Sequence, residues 1–192
     1  MQRKEINAED RRTKYTRKAI RDALMELLKT KPYSKITVTE LCRIADINRG
    51  TFYIHYYDTD NVLDDILNQS FSDVSDTLDH ILCPHKETCT YPFCQRVQSN
   101  PELWPLFMDD TISERIIAKL SSRSKEGFVS YLMRHSNLTF EQAEAVFYFQ
   151  INGCLTINRW MLKNNCRDWH RVQECVDRFI RAGVKELMND EE

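Results

Sequence analysis

The chain has 192 residues and a mass of 22.8 kDa, with 42% hydrophobic and 29% charged residues, an ordinary balance for one domain or two small ones with a real core. Its 27 Lys and Arg against 29 Asp and Glu give a net charge of −2, which excludes a uniformly basic nucleic-acid coat, and no apolar run approaches the ~20 residues of a membrane span. With 4 Gly and 5 Pro there are too few turn residues for a sandwich or barrel that turns every ~8–12 residues, so the composition points to an all-α fold.

Charge is unevenly spread. Residues 1–60 carry 13 Lys and Arg against 9 Asp and Glu, a net +4, and residues 61–192 carry 14 against 20, a net −6. Such an asymmetry suggests an amino-terminal end that meets an anion. Met1 to Asp10 is polar, without the apolar segment of a secretion signal, so a cytoplasmic place is expected. The 7 scattered cysteines do not read as a disulfide framework. Cys42, Cys154 and Cys175 fall inside apolar helical patterns and read as packing residues.

Residues 1–14, with Arg3, Lys4, Arg11, Arg12 and Lys14, read as a mobile arm. The spacing of Ala19, Ile20, Ala23, Leu24, Leu27 and Leu28 predicts a first helix over about Thr13 to Lys29, stopped before Pro32, with Arg17, Lys18, Arg21 and Asp22 outside. Thr37 followed three positions later by Glu40 is a capping box that opens a short second helix ending near Asp46. Asn48 can cap a third helix over Arg49 to Tyr56, and Asp58 or Thr59 a fourth running toward Ile81. After a break at Cys83 to Pro92, a short helix is expected near Phe93 to Gln98, then a stretch interrupted by Pro101 and Pro105. Longer helices follow over about Thr111 to Arg134, Thr139 to Lys163 (with a Thr139–Gln142 capping box) and Asp168 to Met188.

Two short helices joined by a tight turn, with another helix behind them, make a helix-turn-helix arrangement, here over about residues 37–56. At the start of the second of these helices, Arg49 can fork onto guanine O6 and N7. Thr51 offers a hydroxyl and a methyl, Tyr53 a phenol that reaches a phosphate, and Gly50 a close backbone approach. Phe52 falls on the opposite face. From pattern alone, a small bundle with a solvated polar face accounts for the same residues equally well.

The stretch from Tyr15 to about Phe71 resembles the amino-terminal domain of the TetR/AcrR family of bacterial transcription regulators. Ala19 to Leu28, Ile36-Thr37-Val38, Leu41, Ala45 and Ile47 carry the resemblance, and Arg49-Gly50-Thr51-Phe52-Tyr53-Ile54-His55-Tyr56-Tyr57-Asp58 is its most specific part. It implies a DNA-binding domain over residues 11–71 and an all-helical effector-binding and dimerisation domain over 72–192. It implies a homodimer, most simply a repressor, on a palindromic double-stranded DNA operator, released or engaged by a small-molecule effector. Val38 and Thr39 match its backbone-contacting positions, and Arg49, Gly50, Thr51, Tyr53, Ile54 and His55 its base- and phosphate-contacting ones. Where family members usually carry a phosphate-gripping lysine at the start of the fourth helix, this chain has Thr59, which keeps a hydroxyl donor but not the charge. That departure keeps a second reading open: a TetR-like protein without operator binding that acts through a protein partner.

In the family the last two helices form an intersubunit four-helix bundle. Ile151, Gly153, Leu155, Phe179, Ile180 and Val184 are the residues expected there, although the same helices could simply complete one chain's core. Trp104, Phe107, Phe128, Tyr131, Phe147 and Trp160, with Tyr91 and Phe93, could line an effector cavity or be plain core. Cys83, His85, Cys89 and Cys94 suit zinc as ligand types, but their spacing lacks the tight Cys pairs of structural sites, so no metal is expected. No nucleophile–base pair, paired acids or phosphate loop stands at workable spacing. An enzyme is therefore not expected, and no cofactor is implied.

Overall fold

The computed structural model describes residues 2–70 and 97–189, with side chains from Arg11 onward and Arg123 apart. It is all-helical, with no strand among the described residues. The chain divides into two compact units, Met1–Ser70 and Phe71–Glu192.

The first unit holds α1 (Gln2–Leu28), α2 (Val38–Ile44), α3 (Arg49–His55) and α4 (Thr59–Ser70). Helix α1 is longer than its apolar periodicity predicts. Residues 2–14, read as an arm, continue the helix, because this stretch has no Gly or Pro and is rich in Gln, Lys, Glu, Ala and Arg, all good helix formers. Ile20, Ala23, Leu24 and Leu27 recur at helical spacing and are buried, and α1 packs on α2, α3 and α4. Val62, Leu63, Ile66 and Leu67 of α4 complete this core. Each Val, Leu or Ile side chain among these contributes about 1.5–3 kcal/mol on burial.

The starts of these helices follow local chemistry. Thr37 and Glu40 form the predicted capping box, the Glu40 amide donating to Thr37 Oγ1 at 3.3 Å and the Thr37 amide to Glu40 Oε2 at 3.1 Å. Lys31 also pairs with Glu40. That hydrogen bond, followed by those from Thr37, lowers the Glu40 carboxyl to about 2. Asp58 rather than Thr59 accepts the amide of Asn61, at 2.8 Å, and so caps α4. The fourth helix is described only to Ser70, and its expected continuation to Ile81 lies outside the described residues.

Among the described residues of the second unit, α5 (Trp104–Met108) follows a 3-10 turn at Pro101–Leu103, and α6 (Asp110–His135), α7 (Phe140–Lys163) and α8 (Trp169–Leu187) come after it. Asp109, Thr139 and Asp168 cap the three long helices, with Thr139 and Gln142 forming the second predicted capping box. Helix α5 packs on α6 and α7, which pack on each other around Phe107, Ile112, Ile116, Phe128 and Phe147. Arg159 of α7 pairs with Asp110 of α6, and Lys125 with Glu144 at 2.8 Å.

Helix α8 buries a polar line and leaves its apolar side chains only partly covered. Its buried line is Trp169, Gln173 and Asp177, whereas Val172, Val176, Ile180, Val184 and Leu187 are half-buried and Phe179 is 67% exposed. Among the described residues of α8, Phe179 is the large apolar side chain left exposed. Cys175, read as a packing residue, is exposed on this helix, while Cys42 is buried and Cys154 half-buried.

Candidate nucleic-acid interface

Helix α2 ends by turning its chain sharply. Asp46 adopts a left-handed backbone (φ 52), and the Ile47 amide donates to the Cys42 carbonyl at 3.0 Å. This is the Schellman closure, whose left-handed position glycine usually fills. Two residues later, Asn48 Oδ1 accepts the Thr51 amide at 2.8 Å and opens α3. The turn and the cap together fix the angle at which α3 leaves α2.

Gly50 fits that cap. A Cβ added there would lie 3.2 Å from Asn48 Oδ1, so any larger residue pushes against the oxygen that holds the helix start.

Helix α3 has one buried face and one open face. Phe52 is fully buried and Tyr56 nearly so, four positions apart, with ring centroids 6.0 Å from each other. Outward lie Arg49 and Gly50, then Tyr53 (49% exposed) and Ile54 (77%), then Tyr57 (85%). Thr51 and His55 flank this face half-buried, as do Val38 and Thr59 at the starts of α2 and α4, and Thr39 is exposed. All nine residues singled out in the sequence thus lie on the helix-turn-helix or on the first residue of α4.

Within the open face, Arg49 and Tyr53 are paired. Arg49 Nη2 donates to Tyr53 Oη at 3.2 Å, and the guanidinium carbon stands 5.9 Å from the ring centroid. The hydrogen bond to Tyr53 raises the Arg49 pKa further, so its charge is permanent. Burial, followed by the nearby Arg17 charge, lowers His55 below its usual value, so at neutral pH it offers a neutral ring to this surface.

The sequence did not reveal the clamp beneath this surface. Asp65 of α4 accepts from Tyr56 Oη at 2.5 Å and from Arg21 Nη1 at 2.9 Å, with Arg17 Nη2 at 3.1 Å. Arg17 also stacks over the Tyr56 ring at 5.3 Å. Burial alone would raise the Asp65 carboxyl, but the hydrogen bonds from Tyr56 and Arg21 and the charges of both arginines outweigh it and hold the group below its usual range. Arg21, placed outside by the apolar pattern, is therefore half-buried and tied to α4. The available signal was Asp65 itself, an acid set among the buried positions 62, 63, 66 and 67.

The second unit separates the residues expected to line a cavity. Phe107, Phe128 and Phe147 are packed core, the last two with ring centroids 5.6 Å apart. Trp104 and Tyr131 are half-buried, and Trp160 is 53% exposed and turned away from that core. None of the six lines the open groove of about 440 Å³ that runs along α6, past Glu114, Ile117, Ala118, Ser121, Ser122 and Lys125, to Tyr148 of α7. Of the residues expected at an intersubunit face, Ile151 and Leu155 are buried within this chain's own core. The opposite side of α7, with Phe149 (70% exposed), Gly153 and Trp160, is exposed, and so is Phe179 of α8. Ile180 and Val184 are half-buried.

Tyr91, Phe93, Cys83, His85, Cys89 and Cys94 lie outside the described residues. Among the described residues, no group of three or more His, Cys, Asp or Glu could hold a metal ion. None of the described helices is long and apolar enough to cross a membrane.

No protein-family model matches the chain. It is similar to an uncharacterized HTH-type transcriptional regulator, YxbF of Bacillus subtilis (strain 168), with 34% identity over 70 residues. That match covers 36% of this chain and 18% of the relative, so the chain spans less than a fifth of that protein's length. In structure it is similar to the dihydroxyacetone kinase operon activator DhaS, with a TM-score of 0.57 and 16% identity over 91% of this chain and 98% of that one, a likeness of fold. Both are named as transcription regulators and neither as an enzyme.

Proposed function

We propose that the chain is a ligand-responsive, sequence-specific DNA-binding transcription regulator of the TetR/AcrR type. It acts as a repressor, binding a palindromic double-stranded operator as a homodimer. The observation that carries the reading is the open face of α3. Arg49, Gly50, Tyr53 and Ile54 point away from the core on a capped helix anchored by Phe52. A helix so presented fits the major groove, with its amino end toward base edges. The similarity to a helix-turn-helix regulator supports it independently.

Residues 11–71 serve as the DNA-binding domain and 72–192 as the effector-binding and dimerisation domain. The exposed Phe149 and Trp160 of α7 and Phe179 of α8, with Gly153 and Gly183 open to close approach, support a second copy on these helices. The groove beside Tyr148 supports an effector site in the second unit. Effector binding shifts the dimer between two spacings of its α3 helices, only one of which fits the operator.

Selection of bound sequences from a random DNA pool tests the reading. A palindrome should be enriched whose half-sites are separated by about one helical turn or more. Arg49→Ala should weaken binding to it by about 1–3 kcal/mol and relax one base pair in each half-site. If no palindrome is enriched at low salt, with or without cell extract as an effector source, the protein-partner reading replaces this one.

A further inference from the structure

We propose that Tyr53 determines sequence specificity through Arg49, by holding the guanidinium in its reading position before DNA arrives. The inference rests on the DNA-binding reading above and assigns Tyr53 a part beyond a phosphate contact.

Three side chains form a relay from the core to the surface. Phe52 is fully buried. The Tyr53 ring stands edge-on to it, with centroids 5.5 Å apart and planes at 89°. Arg49, four positions earlier and therefore on the same side of α3, donates Nη2–H to Tyr53 Oη at 3.2 Å. An exposed arginine otherwise samples many rotamers, and a binding partner must bear the loss of that freedom. Here part of the ordering is already done in the free protein.

The pairing leaves Arg49 able to read a base. A guanidinium presents two edges of paired N–H donors, and the edges use different hydrogens of Nη2. Tyr53 engages one Nη2 hydrogen, so one edge stays whole for guanine O6 and N7. Tyr53 Oη acts as acceptor in this pair, and its own proton remains available to a phosphate. Two separable contributions follow. The phosphate contact strengthens binding on every sequence alike, whereas the hold on Arg49 strengthens it only where Arg49 finds its base.

The experiment uses the full chain, the best site from the random-pool selection, and single-base variants of that site. Affinities are measured for the wild type, Arg49→Ala, Tyr53→Phe and the double variant. Tyr53→Phe keeps the ring against Phe52, and a thermal melt establishes that the fold is kept. At the base pair identified by Arg49→Ala, Tyr53→Phe should lower discrimination roughly 2- to 10-fold, the range expected from ordering one long side chain. Other positions should keep their discrimination, and in the Arg49→Ala background the second change should leave the ratio at that base pair untouched. A loss equal on all sequences, or the same shift in both backgrounds, overturns the proposal while leaving the DNA-binding reading intact. A nitrogen-detected NMR measurement on the free protein separates the two further. Rotation and proton exchange of the Arg49 guanidinium should quicken in Tyr53→Phe, and unchanged rates overturn the proposal whatever the DNA result. Wild-type protein that binds no DNA overturns the DNA-binding reading itself.

Discussion

Replacing Asp65 with Asn removes one charge from the clamp while keeping its shape. The effect follows from who faces that carboxylate. Tyr56, at 2.5 Å, can donate to an amide oxygen almost as well. Arg21, at 2.9 Å with its side chain 18% exposed, loses its counter-charge in a half-dry setting. Arg17 is 42% exposed, so water screens its share to well under ~1 kcal/mol. A hydrogen bond to a charged group is worth about 1.5–3 kcal/mol, which puts Asp65→Asn at about 2 kcal/mol of destabilisation in the first unit. Urea is the denaturant of choice, because guanidinium salt would screen the charges under test. The midpoint should fall at unchanged slope for amide signals of α1 and α4. All 3 tryptophans, Trp104, Trp160 and Trp169, lie in the second unit and report on it separately. The pH dependence gives a second check. The folded carboxyl is held below its ordinary value, so its contribution is present above the unfolded pKa of ~3.9 and is lost as pH falls through the folded one. The variant should lose part of this acid sensitivity. A cost under ~0.5 kcal/mol with an unaltered acid profile would refute the clamp.

Two further outcomes are expected. Asp46→Gly should stabilise the first unit by up to ~1 kcal/mol in the same urea assay, since it relieves a left-handed backbone at the helix stop; a destabilised variant would show that the Asp46 side chain matters more than its φ of 52. Wild-type chain should sediment at about twice 22.8 kDa, and Phe149→Glu with Phe179→Glu should give folded monomers, whereas Ile151→Glu should unfold the second unit by burying an unpaired carboxylate; a monomeric wild type at micromolar concentration would sink the shared face.

Most helix starts were legible because they are written in four-residue chemistry. Thr37 with Glu40, Asn48, Thr139 with Gln142, and Asp168 each satisfy amides within one turn, and no distant contact is needed to find them. The facing of α7 was not legible. Phe140, Ala143, Phe147, Tyr148, Phe149, Ile151, Leu155 and Trp160 surround that helix, so periodicity does not say which side meets α6. Packing chose Phe147, Ile151 and Leu155 and left Phe149 and Trp160 outside. In α8 the apolar stripe was visible, but the burial of Gln173 and Asp177 beside Trp169 was not, because it depends on the tertiary surroundings. At the candidate site, the outward placement of Arg49 and Tyr53 opposite Phe52 followed from the residue pattern, whereas Ile54 entered only through the family resemblance and Thr51 and His55 are half-buried. The Arg49–Tyr53 bond and the Asp65 clamp depend on side-chain positions that spacing does not specify.

Helix α3 is only 7 residues long, barely two turns. A segment that short is not helical by itself in water, whatever its cap, because nucleation costs more than so few hydrogen bonds return. The surface made by Arg49, Tyr53 and Ile54 therefore exists only while α1, α2 and α4 hold it in shape. Occupancy of a DNA site would then track the folded fraction of the first unit, and a substitution as remote from the open face as Asp65 would act as a dose control on recognition. The amount of competent protein would fall while the base preference of each surviving molecule stays the same.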